Sequence, residues 1–88
     1  RHARPNPAIA SASLAYTLGA PASVSAAVFD VSGRRIASLA SCARMQAGDH
    51  EVRWGLRDDR GAPVASGVYF LRVSAGLESL TQKLVVVR

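Results

Sequence analysis

The sequence predicts an all-β domain, an antiparallel sandwich of about seven short strands. Three observations carry this expectation. Apolar residues recur with period two rather than 3.6, as in Leu14, Tyr16 and Leu18. Each alternating run is short and is bounded by Gly, Asp or Pro. One stretch, Val68-Tyr69-Phe70-Leu71-Arg72-Val73, concentrates the β-branched and aromatic types that suit a pleated, half-buried surface.

Residues 1–8, with Pro5, Asn6 and Pro7, read as a flexible lead-in, which leaves residues 9–88 as the domain. The first strand spans 12–18. The second spans 22–31, with Val24, Ala26 and Val28 on one face and Phe29 and Val31 on the other. Asp30-Val31-Ser32-Gly33 turns the chain into a short third strand, Arg35 to Leu39. Asp opens an Asx turn there, and Gly33 supplies the positive φ of a tight hairpin. Ala40 to Gly48 lacks alternation and reads as the longest connection, with room for a brief helical turn. Residues 50–56 place His50, Val52, Trp54 and Leu56 on one face. Asp58-Asp59-Arg60-Gly61 repeats the spacing of the first turn before Pro63. Residues 67–74 follow, opened by Gly67, and Ala75-Gly76-Leu77-Glu78 leads into a closing strand, Leu80 to Val87.

The chain has 88 residues, room for one domain with a thin core. Apolar residues make up 49% of it, too many for a disordered chain, although many are Ala. The large core candidates are Leu14, Tyr16, Leu18, Val28, Phe29, Ile36, Leu39, Val52, Trp54, Val68, Tyr69, Phe70, Leu71, Val73, Leu84 and Val86. The formal charge is +5, and residues 1–44 carry +4 of it. Anionic partners suit such a balance. No basic run with interleaved aromatics appears, so nucleic acid is not an expected partner, and the charge reads as solubilising. No apolar stretch reaches the ~20 residues of a membrane-spanning helix, so membrane insertion is not expected.

Catalytic and metal chemistry lack the residues they need. Cys42 is the only cysteine, so no internal disulfide or cysteine-based metal site is available, and its Ser41 and Ala43 neighbours place it in a loop. His50 has no acidic orienter and no nucleophile elbow accompanies it, so no catalytic residue is assigned. Neither does His50 have ligand partners at metal spacing. Asp58 and Asp59, with Asp30 or Asp49, would need six or more oxygens to hold calcium, and turn chemistry already accounts for Asp30 and Asp58. Gly33, Gly61 and Gly67 serve the backbone, since no helix follows them to form a phosphate cradle. Trp54 is expected to anchor the core between two sheets. No cofactor is expected.

Three segments, taken in order and spacing with the opening Asn6-Pro7 and the closing Gln82 to Arg88, are specific. They are Val28-Phe29-Asp30-Val31-Ser32-Gly33-Arg34-Arg35-Ile36, then Gly48-Asp49-His50-Glu51-Val52-Arg53-Trp54, then Gly61-Ala62-Pro63-Val64-Ala65-Ser66-Gly67-Val68-Tyr69-Phe70-Leu71-Arg72. In this order they resemble the immunoglobulin-like domain named after the flagellar hook-capping protein, and its relatives at the C-termini of proteins exported by the type IX secretion system. Asn6-Pro7 resembles the usual opening, and Gln82 to Arg88 the closing strand. Gly55 and Leu56 depart from the Asp-Gly that commonly follows the tryptophan, and Ala8 stands where an aromatic is usual.

The resemblance implies an immunoglobulin-like sandwich that an export machine reads or that packs in an extracellular assembly. The expected role is a non-catalytic sorting or anchoring module of a larger exported bacterial protein, at the cell surface or secreted. The export signal is expected upstream of this segment. The alternative is a structural assembly domain of a hook-capping scaffold. Partners are then secretion or outer-membrane machinery, or other domains of the parent, with the isolated domain monomeric. Recognition is assigned to the last strand: Lys83, Leu84, Val85, Val86, Val87 and Arg88, beside Gly67 to Arg72. A terminal edge strand can be offered to a partner by strand addition. Deleting Leu84 to Arg88 is expected to abolish export.

Overall fold

The computed structural model describes residues 3–4 and 11–87, which form two packed antiparallel sheets without a helix. The strands are β1 (Ala3–Arg4), β2 (Ala12–Leu18), β3 (Ala22–Asp30), β4 (Arg35–Met45), β5 (Gly48–Trp54), β6 (Gly67–Ala75) and β7 (Glu78–Val86). One sheet has the order β1-β2-β5 and the other β4-β3-β6-β7. β1 approaches β7 and β4 approaches β5, so the sandwich has two lateral seams where the sheets' edges meet. Ala3 and Arg4 pair with Leu14 and Ser13, which attaches that part of the expected lead-in to the first sheet. The rest of residues 1–8 lies outside the described residues.

Alternation explains the core directly. Leu14 and Tyr16 of β2 face Val24, Val28, Leu71, Val73, Leu84 and Val86 of the other sheet, all buried. Fully burying such a side chain contributes about 1.5–3 kcal/mol. Trp54 is 1% exposed, and its ring meets Tyr69 edge-on at 5.4 Å between centroids. Both rings satisfy their polar tips: Trp54 Nε1 donates to the Arg57 carbonyl at 2.9 Å, and the Tyr69 hydroxyl to the Ala65 carbonyl at 2.7 Å. The second bond has the form of the tyrosine corner of immunoglobulin-like sandwiches, a hydroxyl tied to backbone shortly upstream.

Several expectations are corrected. Ala40 to Gly48 is no connection: β4 runs on to Met45, pairing Ala22 with Met45 and Val24 with Ala43. The alternation is hidden because small residues face both ways. Cys42 therefore lies on a strand rather than in a loop, exposed at an irregularity in the ladder. Its φ is +53 and its N–H donates to Ser25 Oγ at 3.1 Å. β5 ends at Trp54, not at residue 56. Leu56 reaches the core from a left-handed backbone (φ +59) and is 0% exposed. Phe29, Val68 and Phe70 are not core residues: they lie half-buried on the outer face of the four-stranded sheet. Val31 belongs to the turn and is 75% exposed. Gly67 opens β6 opposite Val86, where the sequence places the start of that strand.

Candidate interaction surface

Among the described residues β7 is the last strand of its sheet, bonded to β6 with Gly67 opposite Val86 and Ala75 opposite Glu78. A two-residue turn joins the pair. Gly76 takes φ +63 at its first central position, as a type II′ hairpin requires, and leaves Leu77 fully exposed. Period-two alternation then splits the expected recognition strand. Leu84 and Val86 point inward and are 0% and 1% exposed, so they are core. Lys83, Val85 and Val87 point outward, and Arg88 lies outside the described residues. A recognition surface on this strand therefore consists of its outward side chains. Deleting Leu84 to Arg88 would remove core as well as surface.

The register carries the outer face across all four strands of that sheet. Arg35 pairs with Phe29, Phe29 with Phe70, and Phe70 with Lys83, giving a row of cation, two aromatics and cation. In the next row Ser38 pairs with Ala27, Ala27 with Arg72, and Arg72 with Thr81. The Arg72 guanidinium lies over the Phe29 ring, 4.9 Å from its centroid. A shallow trough of about 270 Å³ runs beside them, lined by Ser25, Ala27, Ser38 and Ser74. It exists because this part of the face carries only small side chains. The opposite face of the sandwich differs. There Arg53 pairs with Glu51 at 3.5 Å and Thr17 donates to Asp49 at 2.8 Å. Sequence parity told which side of each strand Phe29, Phe70, Arg72 and Lys83 occupy, but only the register aligns them.

The two Asp-Gly turns sit at the end of the sandwich where Trp54 and Tyr69 pack. Asp30 Oδ1 accepts from the Ser32 N–H at 2.9 Å, the Ser32 hydroxyl at 2.6 Å and the Arg34 N–H at 3.1 Å. Asp58 Oδ1 accepts from Arg60 N–H at 2.9 Å and Ala62 N–H at 3.0 Å. Gly33 and Gly61 follow with φ of +85 and +84, where a Cβ would be strained. The Ser32 hydroxyl, above all, holds the Asp30 carboxyl below its ordinary range, helped by the two backbone N–H groups and the Arg34 guanidinium against a smaller opposing effect of burial. These carboxylate oxygens serve backbone donors, and no group of three metal-ligating side chains occurs among the described residues.

His50 lies beside Tyr16, ring centroids 5.5 Å apart, and its Nε2 bonds the Gln46 carbonyl at 2.7 Å. That is a packed strand residue closing the β4–β5 turn. Burial raises the Tyr16 phenol above its ordinary value. At the opposite end from the Asp turns, a cleft of about 410 Å³ opens between the sheets beside Leu18, Val73, Glu78 and Leu80. Tyr16, Thr17 and Ser79 also line it.

Comparison with known proteins agrees with this architecture. No curated protein matches the chain. Among solved structures, PorZ of Porphyromonas gingivalis, described as an essential surface component of the type IX secretion system, is 26% identical. The match covers 99% of this chain and 11% of PorZ, at a TM-score of 0.65. Dimeric latent PorU of the same organism shares the fold with a TM-score of 0.74 at 21% identity, over 98% of this chain and 9% of that one. The chain thus spans about a tenth of either relative's length. The model of the FlgD Ig-like domain matches residues 7–79, which contain both Asp turns, the Trp54 strand and the whole of β6. By that match the chain belongs to the FlgD Ig-like domain family.

Proposed function

We propose that this domain is a non-catalytic sorting or anchoring module of a larger exported bacterial protein, working at the cell surface. The observation that carries the proposal is the match of 99% of the chain to one part of PorZ, a surface component of a secretion system. The position of β7 at the end of its sheet supports it: its outward Lys83, Val85 and Val87 are exposed to a passing receptor. Recognition is assigned to those three side chains.

The test is a secreted reporter carrying the 88-residue chain at its C-terminus, expressed in a bacterium with a type IX system. The expected outcome is reporter at the surface or in the medium. Lys83→Glu with Val87→Asp should retain it inside, with the melting temperature of the purified fusion unchanged. Equal export of the variant and the parent would sink the assignment to β7, and retention of both would sink the sorting role. The family match itself favours a second reading, an assembly domain of a hook-capping scaffold. Peptide mapping of the parent protein separates the two. A sorting module ends the cell-associated chain and is missing from a shortened extracellular form, whereas a scaffold domain stays in place.

A further inference from the structure

We propose that the outer face of the four-stranded sheet binds an extended acidic peptide segment laid across the strands, its carboxylates on Arg35 and Lys83 and an apolar side chain on Phe29 and Phe70. The proposal deepens the reading above through Lys83, which both share.

Charge decides the sign of the partner. Arg35, Arg72 and Lys83 stand on this face, and Asp59 meets Arg35. The Arg35–Asp59 pair is 4.0 Å long with side chains 60% and 48% exposed. Such a pair holds its cation weakly and can exchange it for an incoming carboxylate. A second copy of the chain would bring like charges together in a self-complementary contact, which disfavours it as the occupant. On the other outer face Arg53 is paired with Glu51 and Asp49 takes the Thr17 hydroxyl, so its described charges are of mixed sign rather than a row of cations.

Spacing decides the shape of the partner. Neighbouring strands lie about 4.8 Å apart, so Arg35 and Lys83, three strand intervals apart, are separated by roughly 14 Å at the backbone. An extended chain rises about 3.3 Å per residue and sends alternate side chains to one side. A Glu-x-Phe-x-Glu segment therefore presents two carboxylates about 13 Å apart with a ring between them. That order matches the cation, aromatic pair and cation of the sheet. The serine-lined trough beside Arg72 leaves room for the segment's backbone and offers hydroxyls to it.

The test is an NMR titration of the 88-residue chain with synthetic Glu-Ser-Phe-Ser-Glu. Saturable shifts centred on Phe29, Phe70, Arg72 and Lys83 are expected. Lys83→Glu should weaken the affinity about tenfold, the loss of one complementary charge and gain of a repulsive one. Arg53→Glu, on the other face, should change it less than about twofold. Both side chains are exposed, so both variants are expected to fold. Absent or non-saturable shifts overturn the proposal, as do shifts spread equally over both faces. Saturation of this face by a heparin oligosaccharide while the peptide stays silent also overturns it, in favour of an anionic glycan. Peptide binding with failed reporter export would leave this inference standing and remove only the sorting role.

Discussion

The two Asp-Gly turns are the same local structure put to different uses. Besides the shared carboxylate bonds, Asp30 N–H donates to Arg34 C=O at 3.0 Å, and Asp58 N–H to Ala62 C=O at 2.9 Å. Gly33 and Gly61 N–H return to Asp30 and Asp58 C=O at 3.0 and 2.9 Å. The difference lies in what each turn holds. The first joins β3 to β4 and turns Val31 out to solvent. The second carries Asp59 where the first has Val31. Asp59 N–H donates to Ile36 C=O at 3.2 Å, and its Oδ1 accepts from Ser38 N–H at 2.8 Å. The loop so caps part of the exposed edge of β4, while the buried Leu56 and Val64 flanking it fill the core. Local sequence sets the turn, and tertiary contacts set how much stability depends on it.

The largest expected effect follows from that load. Leu56→Ala empties a fully buried site and should cost about 2–5 kcal/mol in chemical denaturation, whereas Val31→Ala should stay within about 0.5 kcal/mol. Similar costs for the two would erase the distinction between the loops. Asp58→Ala comes next. It leaves two backbone donors without their acceptor and loosens a loop that holds Leu56, so about 1–2 kcal/mol is expected. Asp30→Ala should cost less, because the strands it joins remain paired along their length.

Much of this was legible in the chain before the structure. Asp and Gly at matched spacing announce both turns, and the dense β6 run announces its strand. What stayed hidden has physical causes. Ala40, Ser41, Cys42 and Ala43 of β4 are all small, so alternation has little to mark there. Leu56 keeps the period of Val52 and Trp54, yet the strand ends at Trp54 and Leu56 reaches the core through its own left-handed backbone. The Asp59 cap and the Arg35-Phe29-Phe70-Lys83 row depend on which strands become neighbours. Pairing of that kind is a property of the whole sheet, not of any segment.

Substitution at the glycines sharpens the comparison from the other side. Gly33 and Gly61 have nearly the same positive φ, and a Cβ at either meets open space. Gly33→Ala and Gly61→Ala should therefore each cost about 1 kcal/mol, the backbone strain alone. Equal values would show that the turns are equivalent locally and that the larger cost of Asp58→Ala comes from the contacts the loop carries. Unequal values would locate the difference in the turns themselves.

The smallest effect is a pH dependence at Asp30. Its carboxyl is held below the ordinary aspartate range in the fold, first by the Ser32 hydroxyl. A depressed value means the folded state prefers the charged form. Its contribution is therefore fully present above the unfolded value, near 4, and is lost as pH falls through the lowered folded one. Asp30→Asn keeps an oxygen acceptor for Ser32 and Arg34 but does not titrate. The difference in melting temperature between the parent and this variant should hold steady above about pH 5 and shrink toward pH 2. Ser32→Ala should flatten the same curve, since it removes the largest cause of the shift while leaving the Arg34 N–H bond in place. A difference that does not change with pH would mean that the turn is held by its backbone bonds and Gly33, with the carboxylate serving only as an acceptor.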